Sequence, residues 1–417
     1  MLVKTGLYRD MKDDKKIMLK MNNKKSIILL VFTILFVESF LNPFGIISSL
    51  GRSYTLLCYV VFSLLGIYSI KYGNKLDNKF PYKLYLFFII NIACSSLMAW
   101  NFHSQGLLVS MSAVFGTVLT FTLLLFFLRL DLNSSEYIRI IKSFALLGMV
   151  CYIINAIAFP TIILGGSEYE NIDMSRGIVR IGLPFVIWIV LFFFYSIDKW
   201  NRTGVRRNLY YAALCYLFIL LSVTRQTILF STVLGVIMIL GRYSWKYRFL
   251  VLVISMSFYF YVLPKVPFIN TMIELSEDQV DKSQNEIPDI RIIDYIYYCD
   301  YSQVNIYTRI FGNGVPGSDS NWQKEEADNA EVNKIYDVDV SWAVFYNRFG
   351  AISVILLLII LFKAFQYCKN ENKQYVSYWI LYVVATAFAS GVLWFINQRV
   401  EIIVALAMAY APNIDEE

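Results

Sequence analysis

The sequence predicts an all-α, polytopic helical membrane protein with about 12 transmembrane helices and one large extracytoplasmic loop before the tenth. Three observations predict it. Apolar residues make up 58% of the chain and charged residues 16%, where soluble domains hold about 45–50% and about 25%. The apolar residues run continuously rather than alternating, in stretches that suit helical spans of roughly 20 residues, which excludes a β-barrel. The polar residues gather in one long interval, Pro264 to Gly350, around which the rest of the chain is organised.

Residues 1–25 are basic and mildly amphipathic and lack a small-residue cleavage site. They read as a cytosolic lead on the anionic inner leaflet, not a signal peptide. Residues 26–263 hold nine expected spans: 26–41, 54–70, 82–100, 107–128, 143–164, 181–197, 209–224, 226–241 and 249–263. Residues 264–340 form the large loop, and residues 341–411 carry spans ten to twelve at 341–362, 375–393 and 394–411. Residues 412–417 are a cytosolic tail. Glu38 lies in the first span, near the outer interface or paired inside the bundle, with proton coupling as its functional alternative. Asn397-Gln398-Arg399 interrupts the last. Pro43, Pro160 and Pro184 mark span ends or kinks.

Orientation follows from the basic residues in the connections. Segments 1–25, 71–83, 129–142, 198–208, 242–248 and 363–374 carry 25 of the 37 Lys and Arg, so they are expected inside. Both termini are then cytosolic and the large loop is outside. The charge of +6 is explained by this asymmetry and implies no nucleic-acid partner. The loop itself is acidic, with 15 Asp and Glu against 6 Lys and Arg between 264 and 340. Its segment 287–310 is expected to form one or two short helices, and 312–330 to form turns. The six cysteines are isolated and read as packing thiols, not a disulfide framework or metal site.

The outer connections supply the candidate chemistry. Every basic residue in a short outer connection is arginine: Arg52, Arg176, Arg180, Arg225 and Arg399. Arg348 joins them inside the apolar start of span ten. A guanidinium is always charged and grips phosphate oxygens in bidentate fashion. A cation within a membrane segment is costly and marks a candidate site. The alternative role for each is interfacial snorkelling or helix-end capping. Asp337 and Asp339 precede span ten, where either caps the helix or acts as a general base towards an attacking hydroxyl. Trp322, Trp342, Tyr297 and Tyr298 are candidates for stacking on sugars or for packing. His103, the single histidine, reads as an interfacial side chain.

Four local motifs carry a resemblance: Arg180-Ile181-Gly182, the Ser222 to Thr227 break, Phe311-Gly312-Asn313-Gly314, and Asp339 to Gly350. In this order and membrane setting, over roughly residues 175–360, the chain resembles the O-antigen polymerase family, related to the O-antigen ligases. The resemblance implies polymerisation of undecaprenyl-pyrophosphate-linked oligosaccharide units into O-antigen or capsular polysaccharide at the outer face of the bacterial cytoplasmic membrane. It implies Arg225 and Asp339 as catalytic residues and Arg176, Arg180, Arg348 and Arg399 as substrate-binding residues. It needs no cofactor and no metal, and its expected partners are the lipid-linked oligosaccharide, membrane lipid, a chain-length regulator and a flippase. The large loop lacks the histidine of the ligase branch. Arginine followed by ten residues and then glycine, seen in some polymerases, is absent from that loop and from Arg176 and Arg180. Competing readings are a flippase or other transporter, a lipid-dependent glycosyltransferase with an acidic pair in its first outer loop, and a non-enzymatic envelope module. Asn42 to Ser53 contains no acid, against the second of these.

Overall fold

A computed structural model describes residues 24–38, 42–46, 52–73, 79–130, 132–165, 172–173, 180–241, 290–318, 320–333, 335–337, 339–393 and 395–413. The expected span 249–263, residues 264–289 of the loop, Arg176 and most of the basic lead lie outside the described residues, as do the side chains of Arg52 and Arg180.

Helix α1 covers residues 24–37. It is followed by α2 (Arg52–Tyr72), α3 (Tyr82–Phe102), α4 (Leu107–Phe127) and α5 (Ser134–Ala158). Two short strands, β1 (Ile172–Asp173) and β2 (Arg180–Ile181), pair antiparallel and set Asp173 opposite Arg180. Next come α6 (Val186–Thr203), α7 (Arg206–Leu221) and α8 (Arg225–Leu240). The polar interval contributes α9 (Ile290–Ile296), which runs into a π-helical turn Tyr297–Tyr301, then α10 (Ile306–Phe311) and α11 (Asn321–Asn333). The chain ends in α12 (Ser341–Asn370), α13 (Gln374–Thr386) and α14 (Ile396–Tyr410).

Among the described residues five helices are long and apolar enough to cross a membrane: α2 from Ser53, α3, α4, α5 and α12. Less than half of the most apolar stretch of each is buried in the protein. The remainder presents large apolar side chains outward, such as Leu56, Leu64 and Ile67 on α2 and Leu108 and Met111 on α4. Such surfaces suit lipid, not water. The helices at the centre differ. Ile187 to Phe194 of α6 and Val400 to Ala411 are buried on every side, as expected for helices surrounded by protein. Trp188 Nε1 donates to the Glu401 carbonyl at 3.1 Å, and Trp379 Nε1 to the Ile187 carbonyl at 3.3 Å, tying α14 and α13 to α6. Lys373, buried between α12 and α13, donates from Nζ to the carbonyls of Met408, Ala409 and Ala411 at 3.2, 2.9 and 2.6 Å. A cation there satisfies the last turn of α14 and complements its dipole.

Two boundaries differ from the sequence expectation for physical reasons. Helix α5 begins at Ser134, not near 143, behind a capping box in which Asn133 and Glu136 bond each other's backbone N–H at 2.9 Å. Glu136, Arg139 and Lys142 make its first turns polar, so hydropathy alone hides them. Residues 321–330, part of the segment 312–330 expected as turns, lie instead in α11 (Asn321–Asn333). Its Lys324-Glu325-Glu326-Ala327 core has strong helix propensity, which outweighs the asparagines and aspartates around it.

Helices α7 and α8 flank the Ser222-Val223-Thr224 break, with Tyr216 Oη and Thr232 Oγ1 2.8 Å apart. Val223 holds φ at 53°. A β-branched residue in the left-handed region is a genuine outlier, so this break, immediately before Arg225, is a strained point in the backbone.

Candidate functional site

The site is built on an interruption of α12. Gly350 has φ 76° and ψ 172°, a conformation that is essentially confined to glycine. The break leaves the carbonyls ahead of it without helical partners. The turn that follows α10 supplies them. Asn313 N–H donates to the Asn347 carbonyl at 2.7 Å and Gly314 N–H to the Arg348 carbonyl at 2.9 Å. Asn91 Nδ2, from α3, donates to the Phe349 carbonyl at 3.2 Å. Irregular backbone at membrane depth requires protein partners of this kind. The turn is strapped in place by Gln105, whose Oε1 accepts from Gly317 N–H at 2.7 Å and whose Nε2 donates to the Val315 carbonyl at 3.2 Å.

The wedge fixes Arg348, two residues ahead of the break and 1% exposed. Both terminal nitrogens of its guanidinium donate to the Glu326 carboxylate on α11, Nη1 to Oε1 at 2.6 Å and Nη2 to Oε2. Trp322 stands one helical turn before Glu326, with the guanidinium carbon 5.4 Å from its ring centroid. His103 stacks against Trp322, at 3.8 Å between centroids and 9° between planes. His103 Nε2 and Asn313 Oδ1 are 3.1 Å apart, while Asn313 Nδ2 donates to the Ser302 carbonyl at 3.1 Å. The second bond orients the amide, so Nε2 carries the hydrogen and Nδ1 is the basic nitrogen. A carbonyl of the π-helical turn is used as well: Tyr298 O accepts from Asn347 Nδ2 at 3.1 Å and from Gln303 Nε2 at 3.2 Å. Such turns recur at functional sites.

Electrostatics tie further groups to this centre. Burial raises the Asp337 carboxyl above its ordinary range, with Arg348 pulling the other way. Burial also pushes the Tyr297 and Tyr298 phenols up. Burial lowers the His103 imidazole, against the Asn313 hydrogen bond, which raises it. A folded value below the unfolded one means that the unfolded chain binds more protons in the window between them. The stability contributed by neutral His103 is therefore complete above the unfolded imidazole value of about 6.5 and is lost as pH falls through the folded one. Denaturation midpoints measured down that range should fall more steeply for the native chain than for His103→Gln. Parallel curves would exclude this role.

The residues expected from sequence occupy several places. Arg348 is the centre of the cluster. Asp339 is half-buried, two residues before α12. Arg225 is half-buried at the first position of α8. Helix α13 packs against both α8 and α12: Tyr382 Oη lies 3.2 Å from Thr227 Oγ1, and Trp342 Nε1 donates to the Val384 carbonyl at 3.0 Å. Arg399, on α14, donates from Nη1 to Thr117 Oγ1 of α4 at 2.9 Å. Arg348 and Arg399 thus have different partners, and Arg225 starts a third helix. The backbone of Arg180 lies in β2. Glu326, Asn313 and His103 are members of the site that sequence reasoning passed over. The signal for Glu326 appears only once 321–333 is helical, when it shares a helix face with Trp322, four residues before it. Trp322 is 7% exposed and covered by His103 on one face, so here it packs.

No protein-family model matches this chain, and neither does any curated protein. Fold and site together define a helical protein with, among the described residues, five helices of membrane-crossing length and a buried guanidinium paired to a half-buried carboxylate under an aromatic cover.

Proposed function

We propose that this chain polymerises undecaprenyl-pyrophosphate-linked oligosaccharide repeat units into O-antigen or capsular polysaccharide. It acts from the bacterial cytoplasmic membrane with about 12 spans, both termini in the cytosol and the α9–α11 end outside. The observation that carries the reading is Arg348: a buried guanidinium whose bidentate face is turned to an oxyanion on a separate helix. Diphosphate oxygens match that fork as well as a carboxylate does. On binding, the diphosphate takes the place of Glu326.

In the transfer, the bond between the glycosyl carbon and the diphosphate oxygen breaks and its electron pair leaves on that oxygen. The acceptor hydroxyl oxygen bonds to the same carbon and its proton passes to a carboxylate. Asp339 and the displaced Glu326 are the two carboxylates for that role. Guanidinium groups neutralise the developing phosphate charge, a stabilisation worth about 10²–10³ in rate for a single donor. Arg225 and Arg399 are further contacts for the lipid-linked substrate. A chain-length regulator and a flippase would act on the same substrate.

A transporter is the second reading, favoured by Glu401, an ionisable side chain buried in the bundle, and by the half-buried Glu38 and Arg399, since such groups mark transport paths. One experiment separates the two. Purified protein is given a lipid-linked repeat unit and the glycan length is measured. Elongation is expected from the native chain, with a loss of at least about a hundredfold in Arg225→Ala at equal expression. Full-length polymer from that variant would overturn the assignment. Movement of the lipid-linked unit between leaflets without elongation would favour transport.

A further inference from the structure

A polar cavity lies at the end of the bundle away from Arg348. Helix α3 begins at Tyr82, just after Lys79, and ends at Phe102, beside His103. Lys79 meets Glu371, past the end of α12, at 3.6 Å, while His103 stands over Trp322 in the Arg348 cluster. The 21 residues of α3 rise about 30 Å, the thickness of a bilayer core.

The cavity measures about 350 Å³, within the range of small-molecule sites. Three segments far apart in sequence form its walls, all among those expected inside from their basic residues. They supply Ser134 and Ser135 at the start of α5, Lys199 and Arg202 near the end of α6, and Glu371 to Lys373 after α12. Lys79 meets Glu371, and Arg202 pairs with Asp198, which is 4% exposed. With these partners included, the four cations Lys79, Lys199, Arg202 and Lys373 stand against the two carboxylates Asp198 and Glu371. Glu136, on α5 behind this wall, accepts from the Asn133 N–H.

The donors on the walls are not all engaged. Lys373 supplies charge alone, since its Nζ donates to three carbonyls. Arg202 donates to Asp198 from Nη2, and its Nη1 and Nε have no protein partner among the described residues. The Ser135 N–H, an orphan donor of the first turn of α5, has none there either. The positive end of the α5 dipole lies on the same wall. Lys199 Nζ donates to Tyr195 Oη at 3.1 Å, and the Tyr195 ring meets Tyr375 edge-on at 5.2 Å. Surplus positive charge, a guanidinium fork and backbone N–H at a helix start suit phosphate oxygens. A cation would meet like charge here, and an apolar ligand would strip water from the donors without replacing it.

We propose that this cavity binds a phosphate group at the membrane face opposite Arg348, with Lys199, Arg202 and the first turn of α5 as its donors. The phosphate belongs either to a soluble molecule or to the headgroup of an anionic lipid. The site is independent of the glycan-transfer reading.

The test uses the purified full chain in maltoside micelles free of phosphate. Inorganic phosphate is titrated by calorimetry and by melting temperature. Phosphatidylglycerol is added separately, and its retention is read by native mass spectrometry. At least one probe should bind. A response to inorganic phosphate assigns the site to a soluble ligand. Retained phosphatidylglycerol without that response assigns it to a lipid. Lys199→Gln and Arg202→Lys should each weaken the bound probe about tenfold or more, the loss of a charge-assisted hydrogen bond. Arg207→Gln removes one charge at an exposed position outside the cavity and should bind like the native chain. Because Lys199 lies away from Arg348, its variant leaves any anion at Arg348 undisturbed. Absence of binding by both probes, or native binding in both cavity variants, would overturn the proposal. So would an equal loss in Arg207→Gln, which reduces the effect to surface charge. Arg202→Lys keeps a cation beside Asp198 and decides the matter if Lys199→Gln does not fold.

Discussion

Replacing Gly350 with alanine should dismantle the arrangement that holds Arg348. The native φ of 76° and ψ of 172° lie where an L side chain costs about 1–3 kcal/mol from strain alone. The new Cβ would also meet the Ile310 carbonyl oxygen at 2.2 Å and the Gly312 nitrogen at 2.4 Å. Both are backbone atoms, and the second belongs to the turn that satisfies α12. Neither can move without breaking the bonds of Asn313 and Gly314 to α12, each worth about 0.5–1.5 kcal/mol. The sum is about 2–6 kcal/mol, a large share of a typical domain's stability. Gly204→Ala is the matched control, with φ 69° and open space around its Cβ. Thermal denaturation in detergent should put Gly350→Ala far below Gly204→Ala, and proteases should cleave the segment around 312–317 in the first variant alone. Equal melting temperatures would mean that the wedge does not hold the helix break together.

This interruption shows what a linear reading captures and what it misses. The continuous apolar runs of α2, α3, α4 and α12 are legible because lipid-facing helices must be apolar along their length. Helix α14 is legible as an apolar stretch, but not as a core helix, because burial by protein and burial by lipid select the same residues. The turn Phe311-Gly312-Asn313-Gly314 is conspicuous in sequence, and its glycines mark a change of direction. That it enters α12 at Gly350 depends on hydrogen bonds between residues far apart in sequence, Asn313 to Asn347 and Gly314 to Arg348, which no local pattern encodes. Arg348 was visible as a misplaced cation. Its partner Glu326 was not, since one glutamate in an acidic segment looks like its neighbours until α11 brings it back over α12. His103 was set aside for its short connection, yet the end of α3 places it against Trp322.

Removing the Glu326 carboxylate should be far more damaging than removing the Arg348 guanidinium, although the two make one ion pair. Their side chains are 20% and 1% exposed, respectively. Deleting the acid leaves a charge that cannot reach water, and breaking a buried pair in this way costs about 3–5 kcal/mol. Deleting the base in Arg348→Met leaves Glu326 on α11 with a route to solvent and an apolar chain in the vacated space, so the cost should be clearly smaller. The double variant Glu326→Ala/Arg348→Met should recover much of the loss, because no unpaired charge remains. Denaturation of the three variants measures this order, and a Glu326→Ala chain as stable as Arg348→Met would show that Arg348 is not committed to this partner. The same series probes the diphosphate reading. If Arg348 receives a diphosphate, inorganic pyrophosphate should restore Glu326→Ala by about 2.7 kcal/mol at a hundredfold excess over its dissociation constant. It should stabilise the native chain less, since Glu326 already fills the fork, and Arg348→Met not at all. A flat response in Glu326→Ala would leave the pair as a strut between α11 and α12 and remove the anion site from the proposed mechanism.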